Sequence, residues 1–85
     1  MSSQSLTTLL RLRVVTDADP GAVARVLERF QNINVLPRRV VVEHGTNGSV
    51  YIQVDVAGIS EQMLTLIALK ISQVPCVSHV HWHRA

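Results

Sequence analysis

Three histidines at alternate positions, His79, His81 and His83, are the residues whose types and spacing most invite a chemical reading. Side chains alternate along a strand, so all three share one face. Two imidazoles at i and i+2 on a strand can share a zinc ion, with a third ligand supplied by a neighbouring strand. Arg11 and Arg13 are expected beside them and would repel a cation, and His44 lies elsewhere in the sequence. A solvated strand face is therefore favoured, with a metal at His79, His81 and His83 the weaker alternative. The single cysteine, Cys76, follows Pro75 among apolar residues and reads as a small buried side chain rather than a nucleophile.

A second stretch bears on ligands rather than catalysis. In TDADPGAVARVLERF, Thr16 to Phe30, an acidic turn leads into a helix with glycine in its first turn. Glycine costs about 1 kcal/mol relative to alanine inside a helix. The residue types place Asp19 at the N-cap, Pro20 at the first helical position and Gly21 after it. Unpaired amides at such a terminus attract anions, helped by the helix dipole. The missing Cβ of Gly21 would let a carboxylate or a partner's backbone come close. The plainer alternative is that Gly21 only eases a tight strand-to-helix turn.

Catalytic signatures are lacking. The chain has no paired-carboxylate site, no G-x-S-x-G and no phosphate loop. Acylphosphatase chemistry would need an arginine in an anion-binding loop after the first strand, where this chain has the acidic DADPGA. A heavy-metal carrier would need C-x-x-C there, which is absent. No cofactor is expected in this chain.

Composition narrows the partners. The chain has 85 residues, 47% of them hydrophobic and 16% charged, with a formal charge of +2. One small domain with that much apolar surface points to oligomerisation, because so short a chain has little interior in which to hide it. The basic residues are scattered apart from Arg38-Arg39, and Phe30, Tyr51 and Trp82 are the whole aromatic complement. Nucleic-acid binding would call for a denser basic stripe and stacking platforms, so it is not expected. One cysteine allows no internal disulfide, MSSQSLTT is no secretion signal, and the apolar run MLTLIALKI is too short to cross a membrane. The expected location is the cytoplasm.

The elements that would position these residues follow from periodicity. LLRLRVV puts Leu10, Leu12 and Val14 on one strand face and Arg11 and Arg13 on the other. Val23, Val26, Leu27 and Phe30 form a helical stripe, and QNIN ends that helix because asparagines favour left-handed conformations. Val35 to His44 reads as a strand with Pro37 marking an edge or an entry, and GTNG as a hairpin turn. In SVYIQVDV, Val50, Ile52, Val54 and Val56 face in while Tyr51, Gln53 and Asp55 face out. Ser60 caps a second helix with Met63, Ile67, Ile71 and Val74 inside. Leu64, Leu66 and Leu69 widen its apolar arc beyond what one small sheet needs, which suggests a docking surface. Residues 1–8 are expected to be a flexible terminus, and 9–85 one domain. The order βαββαβ predicts an α+β, ferredoxin-like sandwich, an antiparallel four-stranded sheet with two helices on one face.

Asp19-Pro20-Gly21, the helix start Val23-Ala24-Arg25-Val26 and Asn34-Val35 entering the second strand resemble the opening of an ACT domain, a small amino-acid-binding regulatory module. The second half, VYIQVDVAGISEQMLTLIALKISQVPCVSHVHW, is similar to the small subunit that accompanies acetolactate synthase. The resemblance implies a non-catalytic, dimeric regulatory subunit of branched-chain amino-acid biosynthesis that docks on the large catalytic subunit. Any thiamine diphosphate or flavin would belong to that partner. It also implies an effector such as valine held near Ala18, Asp19, Pro20, Gly21 and Ala22 of one chain, with Asn34 and Val35 contributing. Amino-acid-binding members often carry Asn or Asp where this chain has Ala18. A stand-alone amino-acid sensor, serving another enzyme or transcription, is the alternative.

Overall fold

Alternation of apolar and polar residues builds the centre of the sheet. The computed structural model describes residues 8–85, so the terminus expected to be flexible lies outside the described residues but for Thr8. Strand β1 (Leu10–Asp17) buries Leu10, Leu12, Val14 and Thr16 on one face. It lies between β3 (Ser49–Val56) and β4 (Val77–Arg84), antiparallel to both, and β2 (Arg39–His44) adds to the far side of β3. The order β2-β3-β1-β4 is the ferredoxin-like arrangement. β1 and β3 take the two central places, and their inner positions are all apolar or, at Thr16, small.

Helices α1 (Ala22–Gln31) and α2 (Glu61–Ser72) cover the inner face. Ala22, Val26 and Phe30 of α1 and Leu64, Ile67 and Ile71 of α2 are buried against Leu12, Ile52, Val54 and Val56. The Ser60 hydroxyl caps α2 as expected, accepting from the Met63 amide at 3.0 Å. α1 ends through Asn34, whose φ of 60° is left-handed. The Asn34 amide donates to the Gln31 carbonyl and the Val35 amide to the Phe30 carbonyl, the paired bonds that terminate a helix at a left-handed residue.

Three boundaries differ from the sequence expectation. The second strand begins at Arg39 rather than Val35, because the left-handed Asn34 and then Pro37 occupy the approach. The inner stripe of α2 runs through Leu64, not Met63: Met63 is exposed and Leu64 fully buried. α1 begins at Ala22, with Gly21 as its N-cap, so Asp19 is not the cap and Gly21 is not inside the helix.

The helices do not reach over β2. Its inward-facing Val40 and Val42 remain 38% and 43% exposed, and Leu36, ahead of the strand in the chain, is 88% exposed. The opposite face of the sheet is bare, and its register sets three rows of side chains. Arg39, Asp55, Arg11 and His83 form one, Val41, Gln53, Arg13 and His81 the next, Glu43, Tyr51, Val15 and His79 the third.

Candidate functional site

The β1–α1 turn is held by its own backbone. The Asp17 amide donates to the Cys76 carbonyl at 2.8 Å and the Asp19 amide to the Asp17 carbonyl at 2.7 Å. The Asp19 carboxylate then folds forward and accepts from the Gly21 amide at 2.7 Å, while the Ala22 amide donates to the Asp19 carbonyl at 3.0 Å. Aspartate does this readily because its short side chain reaches a backbone amide two residues on. Asp19 thus satisfies the amide of the cap residue from two positions before it, rather than being the cap. The Val23 and Ala24 amides are left with no acceptor among the described residues, as a helix start requires of some of its donors.

Gly21 sits at φ −88° and ψ −3°, a conformation open to any residue. A Cβ built there would meet Asp19 Oδ1 at 3.4 Å and Arg25 Nε at 3.8 Å, ordinary contacts. The fold does not require glycine at this position. Gly45 differs: a Cβ there would fall 2.5 Å from the Tyr51 ring, so its glycine is explained by the hairpin.

The turn pairs donors with acids. Amides open at the start of α1 suit a carboxylate, and the exposed Asp17 and partly exposed Asp19 suit an ammonium. That is the charge pattern of a free amino acid. Ala18 is exposed and Pro20 is exposed, while Ala22 is buried in the core at 2% and faces away from solvent. Asn34 and Val35 lie beyond the other end of α1, about 15 Å off for a helix of ten residues. Within one chain they form no single site with the turn. Asn34 also has a structural reason to be asparagine, its left-handed φ.

The second expected surface is only partly as read. Leu64 is 0% exposed and belongs to the core, so it is withdrawn as a docking residue. Leu66 and Leu69 are exposed, and Met63 joins them. Position decides this: Leu64, Ile67 and Ile71 fall at i, i+3 and i+7 on the sheet side, so Met63, Leu66 and Leu69 are left outside.

On the bare sheet face, Arg11 holds Asp55 through Nε at 2.8 Å and Nη2 at 3.1 Å. This bidentate pair leaves the Asp55 side chain only 3% exposed although it stands on the outer face, a burial that alternation alone did not reveal. The hydrogen bonds to the carboxylate raise the Arg11 pKa above its usual value. The three histidine rings line up on β4, with centroids 5.2 Å apart for His79 and His81 and 6.1 Å for His81 and His83. Among the described residues no group of three His, Cys, Asp or Glu side chains is arranged to hold a metal ion. Partial withdrawal from water, then the charges of His79, His83 and Arg13, lower the His81 pKa below its usual 6.5. Cys76 is free and buried, and no helix among the described residues is long and apolar enough to cross a membrane.

Two residues had no sequence signal beyond their charge. Arg29 of α1 and Lys70 of α2 both line the groove between the helices, and the Arg29 Nε is shielded from water without a hydrogen-bond partner. Only the packing of α1 against α2 brings them together.

Solved structures share this architecture. The C-terminal domain of the MgtC protein from Mycobacterium tuberculosis matches with a TM-score of 0.78 and 17% identity, over 94% of this chain and 89% of that one. The ACT domain from GTP pyrophosphokinase of Chlorobium tepidum matches with a TM-score of 0.74 and 17% identity, over 89% and 97%. A homoserine dehydrogenase from Thiobacillus denitrificans matches at 0.75 and 18%, over 99% of this chain but 19% of the dehydrogenase. Identities this low establish a shared fold. No curated protein matches the chain. The family model of the ACT-like domain matches residues 3–85. With that match spanning nearly the whole chain and the ferredoxin-like sheet beneath it, this protein belongs to the ACT-like domain family.

Proposed function

We propose that the chain is a non-catalytic regulatory subunit of acetolactate synthase, which pairs with itself and docks on the large catalytic chain. The observation that carries this reading is an ACT-like domain spanning 3–85 whose α2 leaves Leu66 and Leu69 exposed at 49% and 59%. Helix surface of that kind is costly to leave in water and is stabilised when a partner covers it. Self-pairing is supported by β2, an edge strand with unpaired backbone groups whose own Val40 and Val42 are exposed. A two-fold pair would bring the same patch from each copy together.

The effector of this reading is a branched-chain amino acid at the β1–α1 turn. Its carboxylate meets the Val23 and Ala24 amides beside Gly21, and its ammonium meets Asp17 or Asp19, which stand in for the side chain missing at Ala18. Asn34 and Val35 would come from the neighbouring copy.

Acetolactate formation by the catalytic chain of the same organism, with and without this protein and across a valine titration, is the test. Activity should rise on addition. Unchanged activity together with no complex on gel filtration would remove the subunit assignment and favour an amino-acid sensor that works without that enzyme.

A further inference from the structure

We propose a second ligand site, in the groove between α1 and α2, that takes a small carboxylate with an apolar tail and no ammonium group. The groove has a volume of about 290 Å³ and is walled by Ile33, Met63, Leu66 and Ile67. That is close to the lower end of small-ligand pockets, about 300 Å³. Its polar rim is Arg29, Asn32 and Lys70, two cations and an amide with no acid among them.

Neither cation is held in an ion pair. The ion pairs among the described residues are Arg11–Asp55 and Arg84–Glu61, and neither involves Arg29 or Lys70. Arg29 Nε is buried without an acceptor, a state that native interiors avoid because the lost water is not replaced. Two like charges facing one groove also repel. An incoming carboxylate offsets that repulsion, since arginine and lysine form their strongest hydrogen bonds with anions.

No acid lines this groove, Glu28 standing with the same two cations on the adjoining one, and this sets the ligand class. A free amino acid would bring its ammonium against Arg29 and Lys70, where repulsion opposes it. The β1–α1 turn, with Asp17 and Asp19 beside open amides, has the opposite preference. The two sites therefore distinguish a carboxylate from its amino derivative. This inference does not depend on acetolactate synthase, because it is read on the isolated chain.

Titration of the 85-residue chain with hexanoate, followed by NMR of the Ile33, Met63 and Leu66 methyls, is the experiment. Norleucine, which adds only an ammonium, and hexanol, which lacks the charge, are the comparison probes. Hexanoate should shift these methyls saturably and bind about tenfold or more tightly than either. Arg29→Gln should weaken hexanoate by about tenfold to a hundredfold, and Lys70→Gln, on the exposed helix surface, should weaken it without altering the melting temperature. No saturable shift, equal binding of norleucine, or binding that survives both substitutions would overturn the proposal. So would methyl shifts that track protein concentration instead of hexanoate, since a second copy would then fill the groove.

Discussion

Gly21 separates what the fold needs from what a ligand needs. Its φ is ordinary and a Cβ would make only van der Waals contacts, so sterics supply no reason for glycine. On the proposed reading, an approaching group does. Gly21→Ala should leave stability within about 1 kcal/mol of the parent, since alanine is only a somewhat poorer N-cap. The added methyl would stand beside the amides that an amino-acid carboxylate must reach, and valine affinity should fall about tenfold or more. Thermal melting and calorimetric titration of the two proteins check this. Equal valine binding by both would assign Gly21 to the turn alone.

Elements decide which apolar side chains are core and which are surface. α2 is apolar on more than one side, but only Leu64, Ile67 and Ile71 are buried. Leu64→Ala should therefore cost about 2–5 kcal/mol, as removal of a buried leucine does. Leu66→Ala should change stability by under about 1 kcal/mol, because its side chain is half exposed. Urea denaturation of both variants reads the contrast directly. Equal losses would mean that the helix is rotated from its described position. α2 is also tied to β4 away from the core, through the Trp82 indole donating to the Thr65 hydroxyl at 3.0 Å and Arg84 pairing with Glu61.

Across the whole molecule, the bare sheet face collects titratable groups from every strand. His81 faces His79 and His83 along β4 and Arg13 across on β1, with Gln53 beyond it and Glu43 farther out on β2. Its pKa is lowered in the folded chain, first by reduced hydration and then by those cations. The unfolded chain thus binds the proton more tightly. Stability is unaffected above the usual value of 6.5 and declines as pH falls through 6.5 towards the folded pKa. The decline should be modest because water screens an exposed ring. Melting temperatures between pH 8 and 5 should show it, and His81→Gln should flatten the curve. Added salt should reduce the part that comes from neighbouring charges. A profile unchanged by His81→Gln would place the effect elsewhere.

Local pattern determined a great deal of this protein. Alternation assigned the faces of β1 and β3, Ser60 announced α2, and asparagine at position 34 foretold a left-handed helix end. Each is a short-range property, set by backbone sterics or by residues within one turn. The order of elements then left the ferredoxin-like sheet as the arrangement satisfying right-handed crossovers. Other features were decided only by assembly. Leu64 and Leu66 are the same residue type, two positions apart, and their difference lies in which side of α2 meets the sheet. Asp55 is outward by alternation yet buried, because strand register places Arg11 of β1 across from it. Arg29 and Lys70 are 41 positions apart and become neighbours only where two helices pack. Charge and burial depend on what comes near in space, and sequence spacing carries that information only within an element.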